Sequence, residues 1–154
     1  MKYVEEEIYN ILPNRYPLMI LDSIDIKPDS TAVGYIALTE THWFFECHYP
    51  GNPIFPGVLL IESMTQVFCS ILMEKEKIDD IPVIYKLSEL SLKSGTTIGD
   101  TIRIEATLYS LRHGIAKGHC SAYKVASVDD SEDVLLTEFD IVEAIPSQMS
   151  RINR

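Results

Sequence analysis

From Phe55 to Met73 the chain is almost continuously apolar, and Glu62 is the only formally charged residue in the run. Placed at the helical angle, Glu62, Ser63, Gln66 and Ser70 fall on one narrow polar stripe, while Leu60, Ile61, Met64, Val67, Phe68, Ile71 and Leu72 cover the rest. A surface helix carries a broad charged face, so this pattern predicts a helix over 56–74 that is buried on nearly every side. Pro56 suits the first turn, where its missing N–H costs nothing, and Pro50, Gly51, Asn52 and Pro53 ahead of it are turn residues. The run is also long enough to raise a membrane span. Two prolines at its entry, Glu62 and Gln66 in its middle and no positive flank at its start argue instead for a buried helix of a soluble domain.

The flanking pattern is shorter in period. Residues 4–12 read as a short amphipathic helix with acids at its start, stopped by Pro13. Residues 18–25 and 31–38 read as an antiparallel pair of strands across a turn at 27–30. Beyond the long helix, 81–92 is β-prone, 96–100 is a turn, and 101–109 alternates cleanly. A second turn at 112–114 leads into 115–125, a polar loop follows at 128–133, and 134–145 closes the sheet. Taken together these elements predict an α+β domain over residues 1–146, an antiparallel sheet with one buried face, followed by a loosely ordered tail at 147–154.

Charge and cysteine content narrow the function. A net charge of -10 speaks against nucleic acid and against an anionic membrane surface, because both need clustered Lys and Arg. Three cysteines without a Cys-x-x-Cys pair encode neither a disulfide framework nor a zinc knuckle, so they read as small core residues. The N-terminal residues are too acidic and too polar for a signal peptide, which makes a cytoplasmic home the simplest expectation.

The chemistry-bearing residues gather just before and inside the long helix. His48-Tyr-Pro-Gly-Asn-Pro-Ile-Phe-Pro-Gly-Val-Leu-Leu-Ile-Glu62-Ser-Met-Thr-Gln66 resembles the signature of the FabZ-like (3R)-hydroxyacyl-acyl-carrier-protein dehydratases. Upstream, Ile11-Leu-Pro-Asn-Arg-Tyr-Pro17 resembles that family's N-terminal motif. The resemblance implies the hotdog fold, in which the antiparallel sheet wraps around one long central helix. It also implies His48 and Glu62 as the catalytic pair, with the Gly57 N–H polarising the thioester carbonyl and the pair meeting across a dimer interface.

The residues suit those roles. Removing water from a 3-hydroxyacyl thioester needs a base at C2, an acid for the C3 hydroxyl and donors at the carbonyl. A histidine has a free pKa near ~6.5, so its neutral, basic form is abundant at neutral pH. Glu62 in an apolar helix is expected to hold its proton through desolvation. Pro56, Gly57 and Val58 put free N–H groups at a helix start, and glycine lets a thioester come close to the backbone. Relatives that also isomerise the double bond carry aspartate at the helix position, so Glu62 implies dehydration alone.

The sequence departs from the family in several places. Asn14 stands where histidine is usual, and Cys47 replaces the glycine before the catalytic histidine, which matters if that position needs positive φ. Tyr85 resembles the tyrosine that lines the acyl tunnel, while 91–100 keeps Gly99 and Asp100 but lacks the usual Arg-Phe and proline. The implied partner is an acyl carrier protein, which is acidic, so Arg15, Lys86, Lys93 or Lys117 must supply a local positive patch, with Arg15 and Lys93 as the leading contacts. The implied assembly is a homodimer, with a trimer of dimers as the larger form open to it. No cofactor is called for. Were 43–47 extended, His42, Glu46 and His48 would share a face as a ligand set, but no further cluster joins them and no metal is assigned. His113 and His119 receive no role. A hotdog thioesterase using Glu62, and a non-catalytic acyl-binding subunit disabled by Cys47, are the alternatives.

Overall fold

The computed structural model describes residues 1–149. Seven strands form one antiparallel sheet: β1 (Lys2–Val4), β2 (Ser23–Ile26), β3 (Thr31–Ala37), β4 (Val83–Ser88), β5 (Thr101–Arg112), β6 (Ile115–Lys124) and β7 (Val134–Ala144). Their spatial order is β1-β2-β3-β5-β6-β7-β4. A short helix α1 (Phe44–Cys47) precedes the central helix α2 (Gly57–Ser70), which ends in a π-helical turn, Ile71–Lys75. The inward face of β3, β5 and β6 curves against α2, giving the hotdog arrangement.

The sheet admits the helix at two small residues. A methyl group on Gly34 would meet Val67 of α2 at 2.5 Å, and one on Gly118 would overlap the Phe68 ring and the Thr107 carbonyl. Met64, Val67, Phe68, Ile71 and Leu72 are all fully buried on this face. Burial of side chains of this size stabilises by roughly 1.5–3 kcal/mol each before conformational entropy is counted. The segment Gly57–Lys75 is long and apolar enough to cross a membrane, yet two thirds of it (67%) is buried within the fold, which explains its composition.

Several boundaries differ from the pattern-based expectation. The stretch 4–12 is not an α-helix. Lys2–Val4 pairs with β2, and Glu5–Asn10 makes a 3₁₀ turn. So few residues ahead of Pro13 give a marginal helix, and an unpaired edge of β2 competes for them. Of 18–25, only Ser23 onward is strand, because the Leu18 and Met19 N–H groups donate to Arg15 O (both 3.1 Å) and close a turn instead. Pro56 is the cap, with ψ 124°, and Gly57 is the first helical residue. The β-prone stretch 81–92 yields only Val83–Ser88, on the outer edge of the sheet. Arg112 belongs to β5, so the hairpin turn is His113-Gly114, both with positive φ, as a two-residue turn between twisted strands requires. The tail expected at 147–154 begins as a short helix, α3 (Pro146–Met149), and 150–154 lie outside the described residues.

Candidate active site

His48 follows directly on α1, with its N–H donating to Phe44 O at 2.9 Å. Phe44, fully buried, packs on Phe45 and Phe55 with ring centroids 4.8 and 5.0 Å away, and Trp43 donates to Pro17 O at 3.2 Å. This aromatic anchor fixes the single helical turn that carries the histidine. The His48 Nδ1 lies 2.9 Å from Ile54 O. A carbonyl only accepts, so Nδ1 carries the proton and donates, and Nε2 keeps the basic lone pair of the neutral ring. Tyr49 lies alongside at 4.3 Å.

Cys47 sits in this helical turn and is not among the residues with positive φ, so its Cβ strains nothing. Its Sγ points at the Trp43 and Phe44 carbonyls (3.7 Å each) from an exposed position. The same turn undoes the geometry a metal site would need, since His42, Glu46 and His48 do not lie on a strand face. His42 Nδ1 instead accepts from the Thr39 N–H at 3.1 Å. Among the described residues no group of three His, Cys, Asp or Glu side chains is placed to hold a metal ion.

His48 shares a cavity of about 350 Å³ with Gly57, Leu60, Leu92 and Lys93. The α2 hydrogen-bond ladder starts with Leu59 and Leu60 donating to Pro56 O (3.0 and 3.1 Å), which leaves the Gly57 and Val58 N–H groups ahead of it at the positive end of the helix. Leu92 lies over Gly57, where any Cβ would collide with it. Lys93 is held at the rim, its N–H donating to Leu136 O at 2.8 Å and its Nζ pairing with Glu138 at 3.4 Å.

Glu62 lies elsewhere on the protomer, in a cavity of about 250 Å³ that also takes in Asn14, Gln66, Cys69, Ile84 and Glu143. Its Oε1 accepts from Gln66 Nε2 at 2.8 Å and from Asn14 Nδ2 at 3.3 Å. Asn14, the departure from the family motif, is therefore a donor to the candidate acid. The polar stripe splits in two. Ser63 and Ser70 turn back onto Leu59 O and Val67 O (2.9 and 2.7 Å), and only Glu62 and Gln66 face the cavity.

Neither cavity holds both His48 and Glu62, so within one protomer the two residues line separate cavities. A further cavity, about 450 Å³ between Tyr9, Tyr16, Leu21 and Trp43, contains neither residue. Tyr85 (73% exposed) is the bulged residue of β4 between Ile84 and Lys86, and Val58 is equally exposed (73%). Pro56 is buried as the helix cap. Arg15 donates to Leu12 O and Asn14 O (2.8 Å each) and lies 5.0 Å over the Tyr9 ring, which braces the loop carrying Asn14.

Pattern reading missed Glu143. It is 2% exposed on β7 and its Oε2 has no hydrogen-bond partner. Burial, then the charge of Glu62, raises its pKa to about 8. The signal was present, since Phe139, Ile141 and Glu143 alternate on the inward face of one strand.

A helix-wrapping antiparallel sheet with a loop histidine, a helix-start amide and a helix carboxylate defines a hotdog acyl-thioester enzyme. Comparison places it more narrowly. The FabA-like domain family matches residues 12–131. The chain is 37% identical over 125 residues to the 3-hydroxyacyl-[acyl-carrier-protein] dehydratase FabZ of Acetivibrio thermocellus, covering 80% of this chain and 83% of that one. It is 36% identical over 123 residues to the FabZ of Caldicellulosiruptor saccharolyticus, covering 79% and 88%. Among solved structures, the dehydratase heterocomplex ApeI:P of Xenorhabdus doucetiae superposes with a TM-score of 0.69 at 13% identity, covering 96% of this chain and 97% of that one, a likeness of fold. The chain belongs to the FabA-like family, among the FabZ 3-hydroxyacyl-acyl-carrier-protein dehydratases.

Proposed function

We propose that this protein is a cytoplasmic hydro-lyase, one hotdog domain over residues 1–146, that converts (3R)-3-hydroxyacyl chains on acyl carrier protein to trans-2-enoyl chains. The observation that carries this reading is the His48 tautomer, whose Nε2 is left free beside the α2 start because Nδ1 is tied to Ile54 O. Nε2 takes the C2 proton as the Gly57 N–H holds the thioester oxygen. Glu62, steadied by Gln66 and Asn14, gives its proton to the C3 hydroxyl. The C3–O bond breaks, water leaves, and the C2–C3 double bond forms. These groups supply every proton and charge the step needs, without a cofactor. The FabZ relatives favour dehydration over hydrolysis, and the helical backbone at Cys47 removes the physical ground for a passive acyl-binding subunit.

Two half-sites on one protomer call for a second copy. The outer edge of β4 is unpaired and carries exposed Val83, Ile84 and Tyr85, with exposed Ile81 just ahead of it, an apolar strand edge suited to a homodimer that sets His48 of one copy beside Glu62 of the other. Trimers of such dimers are a further assembly to test. Tyr85 then lines the acyl channel, with Val58 and Pro56 at the helix start beside the thioester. Arg15 and Lys93 meet the acidic carrier.

The test is intact-protein mass spectrometry of a (3R)-3-hydroxyacyl carrier protein with an enoyl reductase trapping the product. Loss of water with the natural protein, but not with His48→Ala or Glu62→Gln, is the expected result. Free acid released from a chain lacking the 3-hydroxyl would instead establish hydrolysis.

A further inference from the structure

The Glu62 cavity carries more polarity than dehydration uses. Gln66 Oε1 and Glu143 Oε2 are both buried without a partner, each residue only 2% exposed, and both side chains line this cavity with Glu62. Gln66 Nε2 is already spent on Glu62 and Leu18 O (2.8 and 3.3 Å), so its amide oxygen is the end left open. Glu143 stands in β7 between Ala116 of β6 and Ile84 of β4, with no basic side chain lining the cavity. Unmet buried polar groups of this kind cost free energy unless something in the cavity bonds them. An aliphatic chain could not.

We infer that the Glu62 cavity is a polar chain subsite, which takes an acyl chain bearing an added hydroxyl beyond the reacting carbons and holds that hydroxyl between the Glu143 carboxyl and the Gln66 carbonyl. A hydroxyl suits both groups at once. It donates to Gln66 Oε1, which can only accept, and it accepts from the Glu143 carboxyl, which burial, the larger cause of its raised pKa, keeps protonated at neutral pH. A ligand anion finds no cation here, and an alkyl chain leaves both groups without a hydrogen bond. The cavity's other lining, Cys69, Ile81, Pro82, Val83 and Ile84, suits the chain's methylenes. This substrate assignment rests on the dehydratase reading.

The test uses full-length protein and a series of (3R)-3-hydroxyacyl carrier thioesters, one plain and the others with a second hydroxyl at successive positions along the chain. For the natural protein, kcat/KM for the best dihydroxy chain should exceed that for the plain chain by about tenfold, a ratio expected for one well-placed buried hydrogen-bonding group. Glu143→Gln should keep the preference, and Glu143→Leu, folded by its thermal melt, should invert it. A natural protein that prefers the plain chain at every position, or a Glu143→Leu variant with an unchanged ratio, overturns the subsite and leaves Glu143 and Gln66 satisfying each other or a water. If folded protein dehydrates no chain at all, the dehydratase reading falls, and binding of the same chains as pantetheine thioesters decides the subsite separately. Tighter binding of the dihydroxy chain that Glu143→Leu abolishes upholds it; equal binding overturns it.

Discussion

His48 shows how one backbone contact can set chemistry. The Ile54 carbonyl at 2.9 Å from Nδ1 selects the tautomer, so His48→Ala should lower kcat by at least ~10²-fold in the dehydration assay, with little change in thermal stability because the ring is only partly buried. Glu143 makes a different prediction. Its folded pKa of about 8 stands above the ordinary 4.5, so between those values the folded chain holds a proton that the unfolded chain has lost. Its contribution is therefore fully present below pH 4.5 and declines as pH rises through 8, by an amount on the order of a few kcal/mol. Glu143→Leu should raise Tm more at pH 8.5 than at pH 5, as measured by calorimetry at both. An equal gain at both would mean the carboxyl is not protonated in the fold.

At the level of elements, α2 and the strands it touches meet at glycines. Gly118→Ala would push a methyl into the Phe68 ring and the Thr107 carbonyl, and a backbone oxygen cannot swing aside as a side chain can. Overpacking of this kind costs about 1–3 kcal/mol, seen as a lower urea midpoint. The long helix was legible because its apolar run exceeds any loop, and β3, β5, β6 and β7 were legible because alternation survives on a sheet with one buried face. The 3₁₀ turn at Glu5–Asn10 was not, because its buried Ile8 keeps helical spacing while an open strand edge claims the residues beside it. Likewise Met19 to Leu21 is apolar through burial rather than pairing, a distinction that composition does not carry. His48, Glu62 and Gly57 were legible as a motif, whereas the donors to Glu62 were not, since Asn14 reaches it from 48 residues away.

For the whole molecule, the unpaired β4 edge and the acidic surface set what association requires. For the proposed homodimer, a charged substitution at Ile84, 47% exposed on that edge, should give a monomer by light scattering and abolish turnover, because His48 of one copy would no longer reach Glu62 of the other. Carrier docking faces the net charge of -10. Lys86 and Lys117 lie in register on either side of Val142, an exposed cationic pair on the outer face of the sheet, and Lys93 borders the His48 cavity. Turnover should therefore respond strongly to ionic strength between about 50 and 500 mM salt, since the Debye length shrinks from ~14 to ~4 Å over that range. KM for carrier protein is the quantity to follow, and a KM insensitive to salt would place docking on apolar contacts.

The three thiols are unequal in a way that has practical reach. Cys69 and Cys120 are buried and their thiols pushed up by desolvation, whereas Cys47 stands exposed one residue from His48. A native sample should take a single maleimide per chain, three after unfolding, by mass. That makes the natural sequence a single-site labelling reagent, with a fluorophore next to His48 able to register, without any engineered cysteine, the moment another surface closes over it.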